Sequence, residues 1–334
     1  MSKKQHYIIP VFVPMEGCPH QCVFCNQDRI TGISEEEKVD ATKVRKIIDE
    51  YLETMNRDAT IELSFFGGTF TAIEEKKQRE LLEVAKEYKE KGLIDMIHMS
   101  TRPDAINDYI LSYLQEYLVD VIELGIQSLD EEVLLYSGRG HNVEVVTYAS
   151  NLIKKYGFTL GHQIMIGLPK DTYERDIYSV KESIKLNPDI ARIYPALVIK
   201  DTPMEKMYRR NDYIPYSLEK AVDISKDLLK LYEEHGVKVI RIGLQPTETI
   251  AEGKDVVAGP FHPAFRELVE GSLFADIIRE RLFETKNGTI YINPKDISKL
   301  YANKKMYFKK LIEEGYKVTV KYDESLQRGK LKIN

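Results

Sequence analysis

The sequence predicts an α/β fold built on a parallel sheet, and three observations carry that expectation. Short β-rich runs alternate with helical runs six or seven times, the order that parallel strands need because each crossover takes a helix. The strand runs are mostly continuous and apolar rather than alternating, which suits strands covered on both faces. Polar residues and glycines gather just past the same end of each run, where such folds carry their chemistry. On these grounds an open doubly wound sheet and a full or partial barrel both remain possible.

The elements follow in order. Residues 7–14 (YIIPVFVP) read as a strand, and a cysteine-bearing loop comes next. Residues 42–55 have helical period, and 60–66 (TIELSFF) form a strand that runs into Gly67-Gly68-Thr69. A charged helix covers roughly 73–91, a strand 94–100 and a helix 105–117. The strand at 119–127 ends on Gln127, and 130–138 and 142–156 are helical. The strand at 158–169 stops at Gly-Leu-Pro; helix 171–186 and strand 189–199 follow. A tyrosine-rich loop, helix 217–235 and strand 237–244 complete the alternation. The tail over 288–322 reads as a strand, a lysine-rich helix and a strand, with Lys304, Lys305, Lys309 and Lys310 within two helical turns. The pattern breaks near 245–285, so the expected division is a core over 1–250 and a small α/β extension over 251–334. No internal sequence repeat or low-complexity linker is evident.

The N-terminus has no long apolar run behind its lysines, so no secretory signal is expected. No stretch approaches the roughly 18 apolar residues of a membrane span. A cytoplasmic chain with reduced thiols is therefore expected. The formal net charge of −5 argues against gross nucleic-acid affinity, yet it is unevenly spread. Residues 286–334 hold twelve Lys and Arg against five Asp and Glu, which leaves the rest of the chain near −12. A basic end on an acidic body is either a phosphate-docking patch or a solvated helix face.

All three cysteines of the chain, Cys18, Cys22 and Cys25, lie in EGCPHQCVFCNQ (16–27). Bridges this local would constrain little, and clustered cytosolic cysteines point to metal or redox chemistry. A zinc site wants four ligands, and His20, between two cysteines, is an awkward fourth. An iron–sulfur cubane also normally takes four cysteines, so three leave one iron open to chelation by a cofactor.

This spacing, with Phe24 directly before the last cysteine, resembles the radical S-adenosylmethionine (SAM) superfamily. The resemblance spans about residues 7–245 and implies a partial (β/α)6 TIM-like barrel, a 4Fe–4S cluster on Cys18, Cys22 and Cys25, and SAM on the open iron. Reductive cleavage of SAM would yield a 5′-deoxyadenosyl radical, and a flavodoxin- or ferredoxin-like donor would supply the electron. FFGGTFT (65–71) is similar to the Gly-Gly-Glu motif, with Thr69 in the glutamate position, and implies Gly67, Gly68 and Thr69 near the SAM amino group. STRPD (100–104) implies Ser100 and Thr101 at the ribose. ELGIQSLDEEVLLYSGRGH (123–141) implies Gln127 and Arg139 on SAM, and GHQIMIGLPKDT (161–172) implies Gln163 near the adenosyl group. His162 alternates to the opposite face and is expected to be structural.

STRPD, ELGIQSLDEEVLLYSGRGH, IMIGLP and ARIYPALVIKDTPMEKMYRRNDYIPYSLEKAV resemble the radical domain of the catalytic subunit of Elongator and its bacterial relatives. That resemblance implies tRNA wobble-uridine modification, with Arg192, Tyr194 and Lys200 on the substrate rim. Tyr208, Arg209, Arg210, Tyr213 and Tyr216 would crowd its mouth, and His262 and Arg266 are further substrate candidates. Arginines among tyrosines suit phosphate contact and base stacking. Two departures stand out. About 85 residues follow position 250, too few for an acetyltransferase domain of roughly 150. The cysteine loop is also shorter than Elongator's. A radical SAM enzyme on a small molecule such as a tetrapyrrole, and a non-catalytic iron–sulfur sensor, are the alternatives.

Overall fold

The computed structural model describes residues 5–13, 18, 22–26, 29, 39–247, 249–251 and 253–334. Seven strands form the main sheet: β1 (His6–Phe12), β2 (Thr60–Phe66), β3 (Met96–Thr101), β4 (Val121–Gln127), β5 (Thr159–Ile166), β6 (Ile190–Pro195) and, after the short β7 (Val198–Ile199), β8 (Lys238–Ile242). All neighbours pair in parallel, in the order β1-β2-β3-β4-β5-β6-β8. The helices between them are α1 (Ala41–Thr54), α2 (Glu75–Glu90), α3 (Asp108–Glu116), α4 (Glu131–Tyr136), α5 (Val143–Lys155), α6 (Tyr173–Lys185), α7 (Pro203–Arg209) and α8 (Leu218–Glu234).

The unreversed order decides between the two architectures left open by the sequence. A doubly wound sheet reverses its strand order at a switch point. Here each strand lies beside its predecessor, so crossovers of one hand put the helices on one face. The sheet therefore curls into a half-barrel with a free concave face.

That geometry corrects the expectation of strands buried between two apolar layers. Leu63, Phe65, Ile97, Met99, Ile122, Leu124, Ile126, Leu160 and Ile164 pack under the helices. The alternate positions are polar: Glu62 and Ser64 on β2, His98 and Ser100 on β3, Glu123 and Gln127 on β4, Gln163 on β5, Arg192 and Tyr194 on β6. Period-2 alternation sends these to one face, the concave one.

Local chemistry fixes the elements. Asp40, Asn107, Asp130, Asn142, Thr172 and Ser217 each accept from an N–H of the first turn of the following helix; such caps contribute about 1 kcal/mol each. One device recurs although no sequence repeat announced it. Asp95, Asp120 and Asp189 precede β3, β4 and β6, and their carboxylates accept from the N–H of Ile61, Ile97 and Leu160 on the preceding strand, at 2.7, 2.7 and 2.8 Å. The three aspartates pin strand register at the closed end of the sheet.

The expected strand over 189–199 is two elements. β6 stays in the sheet, whereas β7 pairs antiparallel with β9 (Val256–Ala258). The tail holds α9 (Phe265–Arg281), β10 (Asn287–Ile292), α10 (Ile297–Leu300), α11 (Ala302–Glu313), β11 (Lys317–Tyr322) and the unexpected β12 (Leu331–Ile333). Asn303, Lys304 and Lys305 adopt left-handed backbone, so the tail lysines do not share a regular helix face. Leu268, Phe274, Ile290, Ile292 and Leu311 belong to the same contiguous apolar cluster as the barrel. No helix among the described residues is long and apolar enough to cross a membrane.

Candidate functional site

The cysteine loop leaves the C-terminal end of β1, where the Val13 N–H still donates to Phe66 O at 2.7 Å. Three of its residues, Val23, Phe24 and Arg29, tie it across the rim. The Val23 N–H donates to Ser137 O at 3.0 Å, and its carbonyl accepts from the Met204 N–H at 2.8 Å. Phe24 is buried with Val133, Leu168, Ala196, Met204 and Tyr213, so the aromatic before the last cysteine works as an anchor. Arg29 pairs with Asp255 at 2.9 Å and with Asp201, while Thr249 Oγ1 donates to Arg29 O at 2.6 Å. His20 lies outside the described residues.

Two guanidiniums converge on one sulfur. Arg139 Nη1 stands 3.2 Å and Arg102 Nη1 3.8 Å from Cys22 Sγ, and both arginines are buried. Arg102 also holds Asp104 at 2.9 Å and the Arg139 carbonyl; Arg139 holds the Gly125 carbonyl and His141. Burial pulls Arg139 below its ordinary guanidinium value; the Cys22 sulfur opposes that shift and Arg102 adds to it. The Cys25 thiol is pushed up to about 12 by burial, then by Cys22 and Cys18. No three His, Cys, Asp or Glu among the described residues already stand at metal-holding spacing. Cys18 and Cys22 are nonetheless close enough to Cys25 to oppose its ionisation, and the site places buried positive charge beside Cys22. That donor set suits an anionic thiolate-ligated cluster.

Beside the loop, Gly67 and Gly68 take φ of +84° and +51°. A Cβ on Gly67 would stand 3.1 Å from Val13 O, so the turn needs glycine on both counts. Thr69 Oγ1 is fully buried and has no hydrogen-bond partner among the described residues. Buried hydroxyls are normally satisfied, and this one sits on a glycine ledge, as a place for a ligand's polar group would.

Ser100 lies on the concave face and donates to Glu123 Oε1 at 3.1 Å. Thr101 alternates away, its hydroxyl 2.6 Å from Thr71 Oγ1, so only one of the expected ribose pair offers its side chain. Gln127 carries a positive φ of 64° at the bulge that ends β4. Such strain in a non-glycine residue is retained where the surroundings over-determine it. Gln163 Nε2 donates to Gln127 Oε1 at 3.3 Å, so the structure brings these two together. Gly125 leaves room for them, since a Cβ there would meet Gln127 Nε2 at 2.9 Å.

Sequence reasoning missed the charged line below these residues. Glu62 Oε1 is 2.7 Å from His98 Nδ1, and His98 Nε2 is 3.9 Å from Glu123 Oε2. Glu123 Oε2 is in turn 2.6 Å from Arg192 Nε, an ion pair without hydrogen-bond alignment. Arg192 donates to Tyr194 Oη at 3.2 Å and lies over the Phe66 ring. Burial works against both charges at the ends of this line. His98 and Ser64 nevertheless hold the Glu62 carboxyl down at about 2, and Glu123 keeps Arg192 above its ordinary value. A polar residue at every second strand position was the available signal.

The other expected rim residues divide. Arg192 and Tyr194 are on the concave face. Lys200 pairs with Asp255 at 3.4 Å, beside the Arg29 tie. Tyr208 packs at the edge of the cluster around Phe24. Tyr213 donates to Gly167 O at 2.5 Å and Tyr216 to Asp176 at 3.0 Å; both are structural rather than lining a mouth. Arg209 is held by Glu205 on the exposed side of α7. His262 Nδ1 accepts from the Ala264 N–H at 3.1 Å, and Arg266 binds Glu270 and the Ile240 carbonyl; both serve the start of α9. His162 is fully buried between Ser150 and Ser183, as its alternation required.

Known proteins match this architecture. The Radical SAM superfamily model matches residues 12–180, and the Radical_SAM C-terminal domain model matches 188–274. The tRNA uridine(34) acetyltransferase of Methanocaldococcus infernus is 28% identical over 255 residues, 65% of this chain and 48% of its own. Human Elongator complex protein 3 is 27% identical over 270 residues, 67% of this chain and 49% of its own. This chain thus spans about half the length of those relatives. The solved archaeal M. infernus Elp3, lacking residues 1–46, superposes with a TM-score of 0.65 at 24% identity, covering 82% of this chain and 64% of that one. With its half-barrel, its cysteine loop and a family model over half its length, the chain belongs to the radical SAM superfamily as an enzyme whose cofactors are a 4Fe–4S cluster and SAM.

Proposed function

We propose that this enzyme modifies a tRNA base, with the wobble uridine as the target. The observation that carries the substrate reading is the similarity to relatives named tRNA uridine(34) acetyltransferase and Elongator complex protein 3. Since the match covers about half of each, the acetyl-transfer part of those proteins forms no part of the proposal. Cys18, Cys22 and Cys25 ligate the cluster and leave one of four irons for SAM. When bound, the cluster and SAM would supply radical hydrogen-abstraction chemistry at the substrate.

The chain's own residues position and shield. Arg139 and Arg102 balance the negative charge at Cys22. Gly67, Gly68 and Thr69 receive the SAM amino group, Thr69 through a hydroxyl that has no partner among the described residues. Gln127, Gln163 and Ser100 orient the nucleoside. Glu123, His98, Glu62 and Arg192 hold the floor beneath it, with Tyr194 at the substrate side. Residues 1–250 form the catalytic core and 251–334 an extension that meets substrate. A reduced flavodoxin- or ferredoxin-like protein serves as donor, and the reducing cytoplasm keeps the thiols available.

The test is anaerobic. Reconstituted protein, SAM and dithionite are incubated with an unmodified tRNA that has uridine at the wobble position, or with the same tRNA carrying cytidine there. The proposal expects 5′-deoxyadenosine to rise with the first and not the second. An equal rise overturns the wobble assignment, and no rise with either overturns RNA as substrate.

A further inference from the structure

We propose that the outward face of the C-terminal three-stranded sheet is an RNA-docking surface. The inference deepens the tRNA reading above and rests on it. It concerns residues 287–333, beyond position 274 where the family models stop.

In this sheet β10 is central, parallel to β11 and antiparallel to β12. One face is apolar: Ile290 and Ile292 are fully buried, with Val318, Val320, Leu331 and Ile333 packed around them. Alternation leaves Thr289 and Tyr291 of β10, Lys317, Thr319 and Lys321 of β11, and Lys332 of β12 on the other. The register places Tyr291 opposite Lys321 on one side and Lys332 on the other. Lys332 Nζ stands 5.6 Å from the Tyr291 ring centroid. The centre of the face is thus one aromatic ring flanked by two ammonium groups, with hydroxyls beside it.

Three features select the partner. First, Lys317, Lys321 and Lys332 make no ion pair among the described residues, whereas Lys299 and Lys310 nearby are held by Glu270, Asp296 and Glu219. Asp323, just past β11, feels Lys332, but its carboxylate accepts from the Ser325 N–H and hydroxyl. Second, the face carries lysines and no large aliphatic side chain, the reverse of a protein-interface core. Third, the body of the chain is strongly acidic, so a polyanion is repelled elsewhere and drawn to this end. A ring for base stacking between cations for phosphates fits a single-stranded segment of RNA.

The experiment measures binding of labelled unmodified tRNA to full-length protein by fluorescence anisotropy across a salt series. The triple variant Lys317→Gln, Lys321→Gln, Lys332→Gln is expected to bind at least about tenfold more weakly at physiological salt. Its slope of log affinity against log salt should fall by about 2, at about 0.7 for each phosphate no longer neutralised. Tyr291→Ala should weaken binding about tenfold with the slope unchanged. SAM cleavage without RNA should match wild type in both. Lys310→Gln, off this face, serves as the charge control and should bind normally. A triple variant with wild-type affinity and slope overturns the docking face and leaves the tRNA substrate reading standing. Wild-type protein that binds no tRNA overturns the substrate reading itself. Normal RNA binding with lost reduction by flavodoxin hands the face to the electron donor and overturns the proposal.

Discussion

The two larger sheets among the described residues each have one polar face, and they handle charge in opposite ways. On the concave face of the half-barrel, Glu62, His98, Glu123 and Arg192 are all buried and contact one another in a line. On the C-terminal sheet, Lys317, Lys321 and Lys332 are exposed and make no salt bridge among the described residues. Buried charge must be paired, because an isolated ion in a low-dielectric interior is costly. Exposed lysine carries no such demand. The first arrangement fixes side-chain geometry across the concave face, and the second leaves positive charge unopposed, as the proposed docking of RNA requires.

The largest expected effect breaks the concave site outright. Cys22→Ala removes a proposed cluster ligand at the point where both guanidiniums converge. Reconstituted protein should lose the visible thiolate-to-iron absorbance and bound iron, and SAM cleavage should vanish. A variant that kept a full cluster would sink the ligand assignment.

Next comes the pairing rule itself. Glu123→Ala leaves Arg192 buried and uncompensated, so denaturant titration should show a loss of about 3–5 kcal/mol. The double variant Glu123→Leu, Arg192→Met replaces the pair with apolar volume and should recover most of that stability. A double variant as unstable as the single would show that the loss is one of packing.

A smaller effect appears in pH dependence. Burial holds His162 neutral, with its pKa down at about 3 against 6.5 in the unfolded chain. Between those values the unfolded chain binds the extra proton. Stability therefore falls as pH drops below 6.5, by at most about 1.4 kcal/mol per pH unit. His162→Gln should flatten the profile of unfolding free energy between about pH 7 and 5 by one proton, and an unchanged slope would contradict the assignment. The smallest effect belongs to the surface. Lys310→Ala breaks a 3.1 Å pair with Glu219 in which both partners are solvent-exposed, and the cost should stay under about 1 kcal/mol.

How far these sites could be read from sequence follows the same division. The β–α order and the cysteine spacing are local signals; the first corresponds to the parallel half-barrel, and the second agrees with the family that the chain matches. The line through Glu62, His98 and Glu123 was hidden in TIELSFF, IDMIHMS and VDVIELGIQ because a single polar residue in an apolar run reads as an interruption. Only the unreversed strand order, a tertiary property, puts those interruptions on one face. Thr101 shows the converse: its neighbour Ser100 faces the site, and the pleat turns Thr101 away. Tyr213 and Tyr216 looked like a stacking surface, but each places its hydroxyl on Gly167 O or Asp176. Composition could not distinguish that from exposure. The lysines at 304 and 305 sit in left-handed backbone, which no helical period foretells. The tail lysines that gather on one face belong to strands, one of which, β12, the sequence did not announce.

The central claim is that three cysteines leave one iron of the cluster for SAM, and electron paramagnetic resonance tests it most directly. The reconstituted protein is reduced with dithionite and its spectrum recorded with and without SAM. The account predicts that the g values shift when SAM is added, because its amino and carboxylate groups take the open iron. An unchanged spectrum would contradict it, by showing that the protein already fills the fourth position.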